Sequence, residues 1–201
     1  MAVAVLLAAC GDDSSSEANE PSGTYDVRVT QASFPSEQDV GQTSLLQLGF
    51  RNNGEKTVPT LAVTISIAGK QGQTSSLPFA VHDPTPGLAQ ADRPVWVLAA
   101  TYPRLQGASK AGGASTFNNK TFAFGPLKPG QTTNAVWKLS AVKAGHYTLR
   151  YNVAAALSGT AKARTKGGVT PGGSFVTEIT TEVPDTEVTD SGEVIKKPRS
   201  R

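Results

Sequence analysis

The sequence predicts an all-β fold, an antiparallel sandwich of two packed sheets, from three features. Apolar and polar residues alternate with a period of two in several separate segments, most clearly in Leu61-Ala62-Val63-Thr64-Ile65-Ser66-Ile67. That period lines up every second side chain on one face of a strand, and a helix could not bury it on one side. Clusters of Gly, Pro and Asn separate these segments at short intervals, as turns between strands require. The chain also offers no convincing amphipathic helix, and it is rich in Gly, Thr, Val and Pro and low in charge, a composition that favours strands and turns.

Residues 10–23 hold Ser, Asp, Glu and Gly with no apolar period, and they read as a disordered tether. The folded domain is expected over 24–183. Its first strand is Tyr25-Asp26-Val27-Arg28-Val29-Thr30, an alternating run closed by Pro35. The second runs from Gln42 to Asn52 with Leu46, Leu48 and Phe50 on one face. Asn52-Asn53-Gly54-Glu55 follows as a turn whose Asn and Gly tolerate positive φ. Leu61 to Ala68 forms the third strand.

Residues from about 70 to 120 read as a long irregular insertion, in which Phe79-Ala80-Val81 and Val95-Trp96-Val97-Leu98 are short apolar pieces between Gly-, Pro-, Ser- and Gln-rich stretches. Long loops in compact domains are commonly functional or disordered, so recognition is expected here. Trp96 and Tyr102 are the candidate contacts to a ligand or partner, as loop aromatics of large contact area.

Thr121-Phe122-Ala123-Phe124 resumes the strand pattern. Pro126-Leu127-Lys128-Pro129-Gly130-Gln131 then turns into a strand through Ala135, Trp137 and Leu139, and Gly145 leads into Tyr147, Leu149, Tyr151 and Val153. These two strands read as a hairpin. Trp137, Tyr147 and Tyr151 occupy alternating positions and are expected inside the sandwich. Residues 158–173 read as a loop, Phe175, Thr177, Ile179 and Val183 as a closing strand, and residues 184–201 as a polar tail with a short strand at Val194-Ile195. Seven to nine strands so spaced predict the immunoglobulin-like type of sandwich.

Two segments carry a family resemblance. Leu46-Gln47-Leu48-Gly49-Phe50-Arg51-Asn52-Asn53-Gly54 is similar to a strand with an Asn-x-Gly turn. The stretch from Leu127-Lys128-Pro129-Gly130-Gln131 through Trp137 to Gly145-His146-Tyr147 is similar to a Leu-x-Pro-Gly turn, a strand and a Gly-x-Tyr start. Both resemble sandwich modules of bacterial surface proteins, such as those related to the cell-adhesion-related domain of bacteria and archaea. These motifs encode turns and core positions, so the resemblance implies a fold and no activity.

At the amino end an apolar run closes on Leu7-Ala8-Ala9-Cys10 and becomes polar at Gly11-Asp12-Asp13-Ser14. This resembles the lipobox of bacterial lipoproteins, with residues 1–9 as the signal peptide. The resemblance implies that Cys10 becomes the lipidated amino terminus of a protein held outside the cytoplasmic membrane. No Lys or Arg precedes the run, so the leader is expected to begin upstream of Met1 or to be truncated. Cys10 is the only cysteine, which leaves no disulfide within the chain. Two or three acyl chains at roughly 0.8 kcal/mol per buried CH₂ would make attachment effectively permanent.

Catalytic groupings are not expected. The only histidines are His82 and His146. Asp83 would face away from His82 on a strand, and His146 lies in a tight turn, so neither forms a triad. Most acids fall in the tails, from Asp12 to Glu20 and from Glu182 to Glu193, where solvation leaves a carboxylate unsuited to paired acid and base work. Asp185, Glu187 and Asp190 lack the order of an EF-hand. One Met and one Cys do not make a copper site. Neither Lys110-Ala111-Gly112-Gly113-Ala114-Ser115 nor Lys166-Gly167-Gly168-Val169-Thr170 has the spacing of a phosphate loop.

The formal charge is +3, with Lys and Arg scattered except for Lys196, Lys197, Arg199 and Arg201, so no nucleic-acid footprint is expected and the terminal run reads as a solvated tail. The expectation is a non-enzymatic, lipid-anchored envelope module with no metal and no cofactor. It would bind an envelope protein or stiffen a surface assembly; the alternative is a cell-wall glycan accessory protein that uses Trp96 and Tyr102.

Overall fold

The alternation read along the chain becomes strands with one buried face. The computed structural model of the protein describes residues 21–68, 79–81, 94–108, 114–115, 121–157, 160–181, 186–188 and 194–196. In chain order the strands are β1 (Gly23–Ser33), β2 (Glu37–Asp39), β3 (Thr43–Asn52), β4 (Ala62–Ala68), β5 (Phe79–Val81), β6 (Trp96–Leu98), β7 (Arg104–Leu105) and β8 (Ala114–Ser115). They continue as β9 (Thr121–Ala123), β10 (Thr132–Ala141), β11 (Gly145–Ala154), β12 (Ala161–Arg164), β13 (Gly172–Thr180), β14 (Thr186–Val188) and β15 (Val194–Lys196). No helix occurs among the described residues.

The first sheet has the order β12-β1-β3-β10-β6-β5, with β7 also paired to β10, and the second has the order β2-β13-β11-β4-β9-β8. Residues of both sheets share one core, so the fold is an all-β, immunoglobulin-like sandwich. Strands β14 and β15 pair with each other within the expected tail. The long interior ladders are antiparallel, while β1 with β12, β13 with β2 and β5 with β6 are parallel.

Packing follows from the period. The β3–β10 ladder pairs Leu48 with Ala135 and Leu46 with Trp137, all fully buried. The β11–β4 ladder sets Leu149 against Ile67, Tyr151 against Ile65 and Val153 against Val63, covering the first set from the opposite side. Each buried Leu, Ile or Val is worth about 1.5–3 kcal/mol over an exposed one. Across the interface Trp137 meets Phe122 and Phe124 edge-on, with centroids 5.9 and 5.5 Å away. Its indole Nε1 is buried without a hydrogen-bond partner among the described residues, so its place rests on packing.

Three expectations are corrected. Strands β10 and β11 do not form a hairpin: they lie in opposite sheets, and residues 142–144 carry the chain across. Both strands have a mainly apolar inner face, and such faces are covered by placing one over the other. Gly145, at φ +144, makes the start of β11, and a Cβ there would lie 2.9 Å from the Tyr147 oxygen, which donates a hydrogen bond to the Ala144 carbonyl. The expected loop at 158–173 contains β12, whose Ala161 and Ala163 are buried beside β1. The insertion is not wholly irregular either, because β6 and β7 extend the first sheet along β10.

The two segments that carry the family resemblance meet at one residue. Asn52 is fully buried, and its Nδ2 donates to the carbonyls of Lys56 at 2.9 Å and Leu127 at 2.8 Å. Its Oδ1 accepts from the Gly54 amide at 2.9 Å. The Asn52 amide donates to Gln131, and the Gly130 amide donates to the Asn52 carbonyl. Replacement by Ala should lower the unfolding free energy by about 2–3 kcal/mol, since buried groups lose their partners. Asn52→Asp should cost a similar amount, because an ionised carboxylate cannot donate to two carbonyls. Urea titrations of the two variants read both values, and a midpoint shift near zero for either would contradict this account.

Candidate functional site

Trp96 is not an exposed loop aromatic, which corrects the expectation placed on it. It lies on β6 with no exposed surface, and its Nε1 donates to Gln38 Oε1 of β2 at 3.0 Å. Phe34 and Tyr147 pack edge-on against its ring at 5.6 and 5.8 Å. The indole therefore joins the two sheets. A buried indole N–H usually finds an acceptor, and for Trp96 the nearly fully buried Gln38 supplies one. Gln38 is not distinguishable in the sequence, because it sits in an all-polar three-residue strand and its partner is 58 positions away.

Tyr102 is half-buried and packs against the core. The Arg104 guanidinium sits 4.5 Å from its ring centroid, so one face of the ring is already occupied by a cation. The structure does not bring Trp96 and Tyr102 together as one exposed platform.

The remaining candidates are dispersed. His146 is exposed on the outer face of the second sheet, 3.6 Å from Glu178, in a contact open to solvent and of little energetic weight. Cys10, His82, Asp83, Asp185 and Asp190 lie outside the described residues, and Glu187 is placed in β14 by its backbone only. No group of three or more His, Cys, Asp and Glu suited to a metal ion occurs among the described residues. No helix among them is long and apolar enough to cross a membrane.

A shallow cleft of about 260 Å³ is lined by Thr24, Tyr25, Asp26, Gly54, Glu55 and Lys56. It falls below the roughly 300–1,000 Å³ of small-molecule pockets. The described residues also present the outer face of the first sheet as a broad surface. Residues paired across a ladder point to the same side, so the outward row at one end holds Arg28 of β1, Arg51 of β3 and Thr132 of β10. Lys162 and Arg164 of β12 flank it through their pairing with Thr24 and Asp26. Near the other end stand Lys138, opposite Leu45, and Arg104, opposite Val136.

Between Arg51 and Lys138 lie side-chain amides, with Arg104 in the same row as Gln47. Gln31 donates to Gln47 Oε1 at 3.0 Å, and Asn134 donates to Gln106 Oε1 at 2.8 Å. Gly49 sits beneath them, where a Cβ would come within 2.6 Å of Asn134 Oδ1 and 2.7 Å of Thr30 Oγ1. The missing side chain lets the polar groups close over the strand. This face is not visible in the sequence, because its common side becomes apparent only with the register.

No family model and no curated protein matches the chain. Among solved structures, the chain is similar to the CARDB domain of the PF1109 protein from Pyrococcus furiosus, with TM-score 0.45 and 13% identity over 79% of this chain and 96% of that one. It is also similar to the Escherichia coli alpha-2-macroglobulin fragment from domain MG7 to the C-terminus, with TM-score 0.42 and 14% identity over 84% of this chain and 21% of that one. A third is AvmM, which catalyses macrocyclization in alchivemycin A biosynthesis, with TM-score 0.45 and 12% identity over 81% of this chain and 93% of that one.

A core role for Trp96 gives a measurable expectation. Trp96→Ala should lower stability by about 3–5 kcal/mol, the cost of truncating a buried aromatic, whereas an exposed residue would cost within about 0.5 kcal/mol. Thermal unfolding of the full chain separates the two.

Burial raises the phenol pKa of Tyr147 and of Tyr151 above the ordinary value. The folded chain then holds these protons more tightly than the unfolded chain does. The stabilisation they give is complete below the unfolded value of about 10 and is lost as pH rises through the folded values. Urea midpoints should therefore fall more steeply between pH 9 and pH 11 in the wild type than in Tyr147→Phe or Tyr151→Phe. Equal slopes would refute the linkage.

Proposed function

We propose that the chain is a lipid-anchored, non-catalytic binding module of the bacterial cell envelope, held through Cys10 and recognising another envelope component. The observation that carries the binding part is the division of side chains between core and surface. Trp96, Trp137 and Tyr151 are used in the core, His146 stands in the open, and the first sheet offers a broad polar face among the described residues. Catalysis by acid, base or nucleophile needs groups held together and shielded from water. Surface recognition needs a rigid scaffold, and two packed sheets supply one.

The anchor rests on the segment Leu7-Ala8-Ala9-Cys10, the polar stretch after it and the absence of any other cysteine. A thiol in that setting receives a diacylglyceryl group in the lipoproteins it resembles, and cleavage before Cys10 frees an amino terminus for further acylation. Residues 11–20, with four Asp and Glu side chains and several Ser, would then hold the domain off the bilayer.

Expression of the full chain in a bacterial host tests this. The mature protein should begin at Cys10, carry added acyl mass and partition into the membrane fraction, and Cys10→Ala should lose the acyl mass and the partition. An unmodified wild-type chain in the soluble fraction would overturn the anchor.

A further inference from the structure

We infer that the outer face of the first sheet is a docking surface for an acidic polysaccharide, an inference that rests on reading the chain as a non-catalytic binding module. It starts from a conflict in the ladder. Arg28 and Arg51 stand directly opposite each other on neighbouring strands, both exposed, and the next residue in that row is Thr132 rather than an acid. Like charges directly opposed destabilise a strand pair. A local conflict of this kind in an otherwise consistent fold is expected where function requires it.

The conflict is part of a wider segregation. Lys162 and Arg164 extend the cationic set along the sheet, Arg104 stands level with Gln47 and Lys138 at the other end, while Asp26 is the single acid at the outward positions of β12, β1, β3 and β10. The outer face of the second sheet differs. There Arg150 is flanked by Ser66 and Ser174, Asn152 by Thr64 and Gly172, and His146 by Glu178. Cations thus concentrate on one side of the sandwich, and the complementary partner is a polyanion.

The space between the two cationic ends selects among polyanions. From Arg51 to the level of Lys138 the face runs six residues along β3, roughly 20 Å at strand rise. Its middle holds Gln31, Gln47, Asn134 and Gln106, whose amides offer both donors and acceptors. The Gln31 bond uses the Gln47 oxygen and leaves the Gln47 nitrogen as a donor. Sugar hydroxyls, which donate and accept, match such groups. A nucleic acid would look for stacking aromatics, but Tyr102 already has a guanidinium over its ring. A bilayer would look for exposed apolar side chains, and Leu45 is the large exposed one on this face. Arginines pair side-on with carboxylates, so the match is a glycan with acidic groups spaced along an extended chain.

The full chain carrying Cys10→Ala removes any contribution from acyl groups, and hence from the anchor, to the test. Its capture should be measured on polygalacturonate, on neutral dextran, on polyglutamate and on vesicles containing 30% phosphatidylglycerol. Capture by polygalacturonate at least tenfold tighter than by the other three, and weakened by salt, is the expected result. The pair Arg28→Gln with Arg51→Gln should reduce that capture at least tenfold while thermal stability is unchanged or higher, because the repulsion goes too. Gln47→Ala should weaken capture by polygalacturonate several-fold. No capture of polygalacturonate, equal capture of polyglutamate, preferential capture of the vesicles, or unaltered capture by the Arg28 and Arg51 pair would each overturn the inference. Soluble behaviour of the wild type would instead count against the anchor and leave this surface standing.

Discussion

One buried amide side chain ties the two sheets together at one end of the sandwich. The chain leaves the first sheet at Asn52 for the second, and it returns from the second through residues 124–131 to begin β10. Asn52 holds both crossings, by Nδ2 on the Lys56 and Leu127 carbonyls and by its backbone on Gly130 and Gln131. Its satisfied bonds make its burial tolerable, since a buried amide without partners costs several kcal/mol. They also set the start of the longest ladder, in which Arg51 faces Thr132 and the pairing continues to Thr43 and Ser140. The rows on the outer face inherit their alignment from this point.

The opposite end is closed by a different device. There the chain crosses between sheets before β2, between β2 and β3 and between β10 and β11, and the space within is filled by Trp96, Phe34 and Tyr147. Trp96 arrives from the insertion, so part of that segment is structural: β6 and β7 cover the edge of β10 that β3 leaves open. An uncovered edge would invite pairing with another chain. The Gln38 amide fixes the indole by one hydrogen bond, while its own Nε2 is buried without a partner among the described residues. Edge-on packing of the indole against Phe34 and Tyr147 holds the same end of the core.

Much of the sandwich is legible in the sequence because period-two alternation reports which residues face the core. Leu46, Leu48 and Phe50, then Val63, Ile65 and Ile67, then Trp137 and Leu139 are buried where alternation puts them. Alternation does not report which sheet a strand joins. That is why β10 and β11, with inner faces alike and three residues between them, read as a hairpin and lie apart. Trp96 was illegible for another reason. Its run of apolar residues is too short to display a period, and its acceptor is 58 positions away. Asn52 reads as a turn former, which its bond to Gly54 supports, but its longer reach to Leu127 depends on tertiary structure.

The same alternation explains why a recognition face is hard to read from one chain. Strand β3 spends its inward positions on Leu46, Leu48 and Phe50, and its outward positions are Leu45, Gln47, Gly49 and Arg51. Taken alone these outward residues are an ordinary solvated set. Their meaning comes from register: Arg51 beside Arg28, Gln47 bonded to Gln31, and Gly49 beneath Asn134. The bulge between Val29 and Gln31 adds to this, because an extra residue in β1 brings Gln31 opposite Gly49 on the outer side while Val29 stays opposite the buried Phe50. Core packing therefore fixes the position of each outward side chain that would meet a partner. Stability resides in one half of the residues, and recognition can vary in the other half without disturbing it.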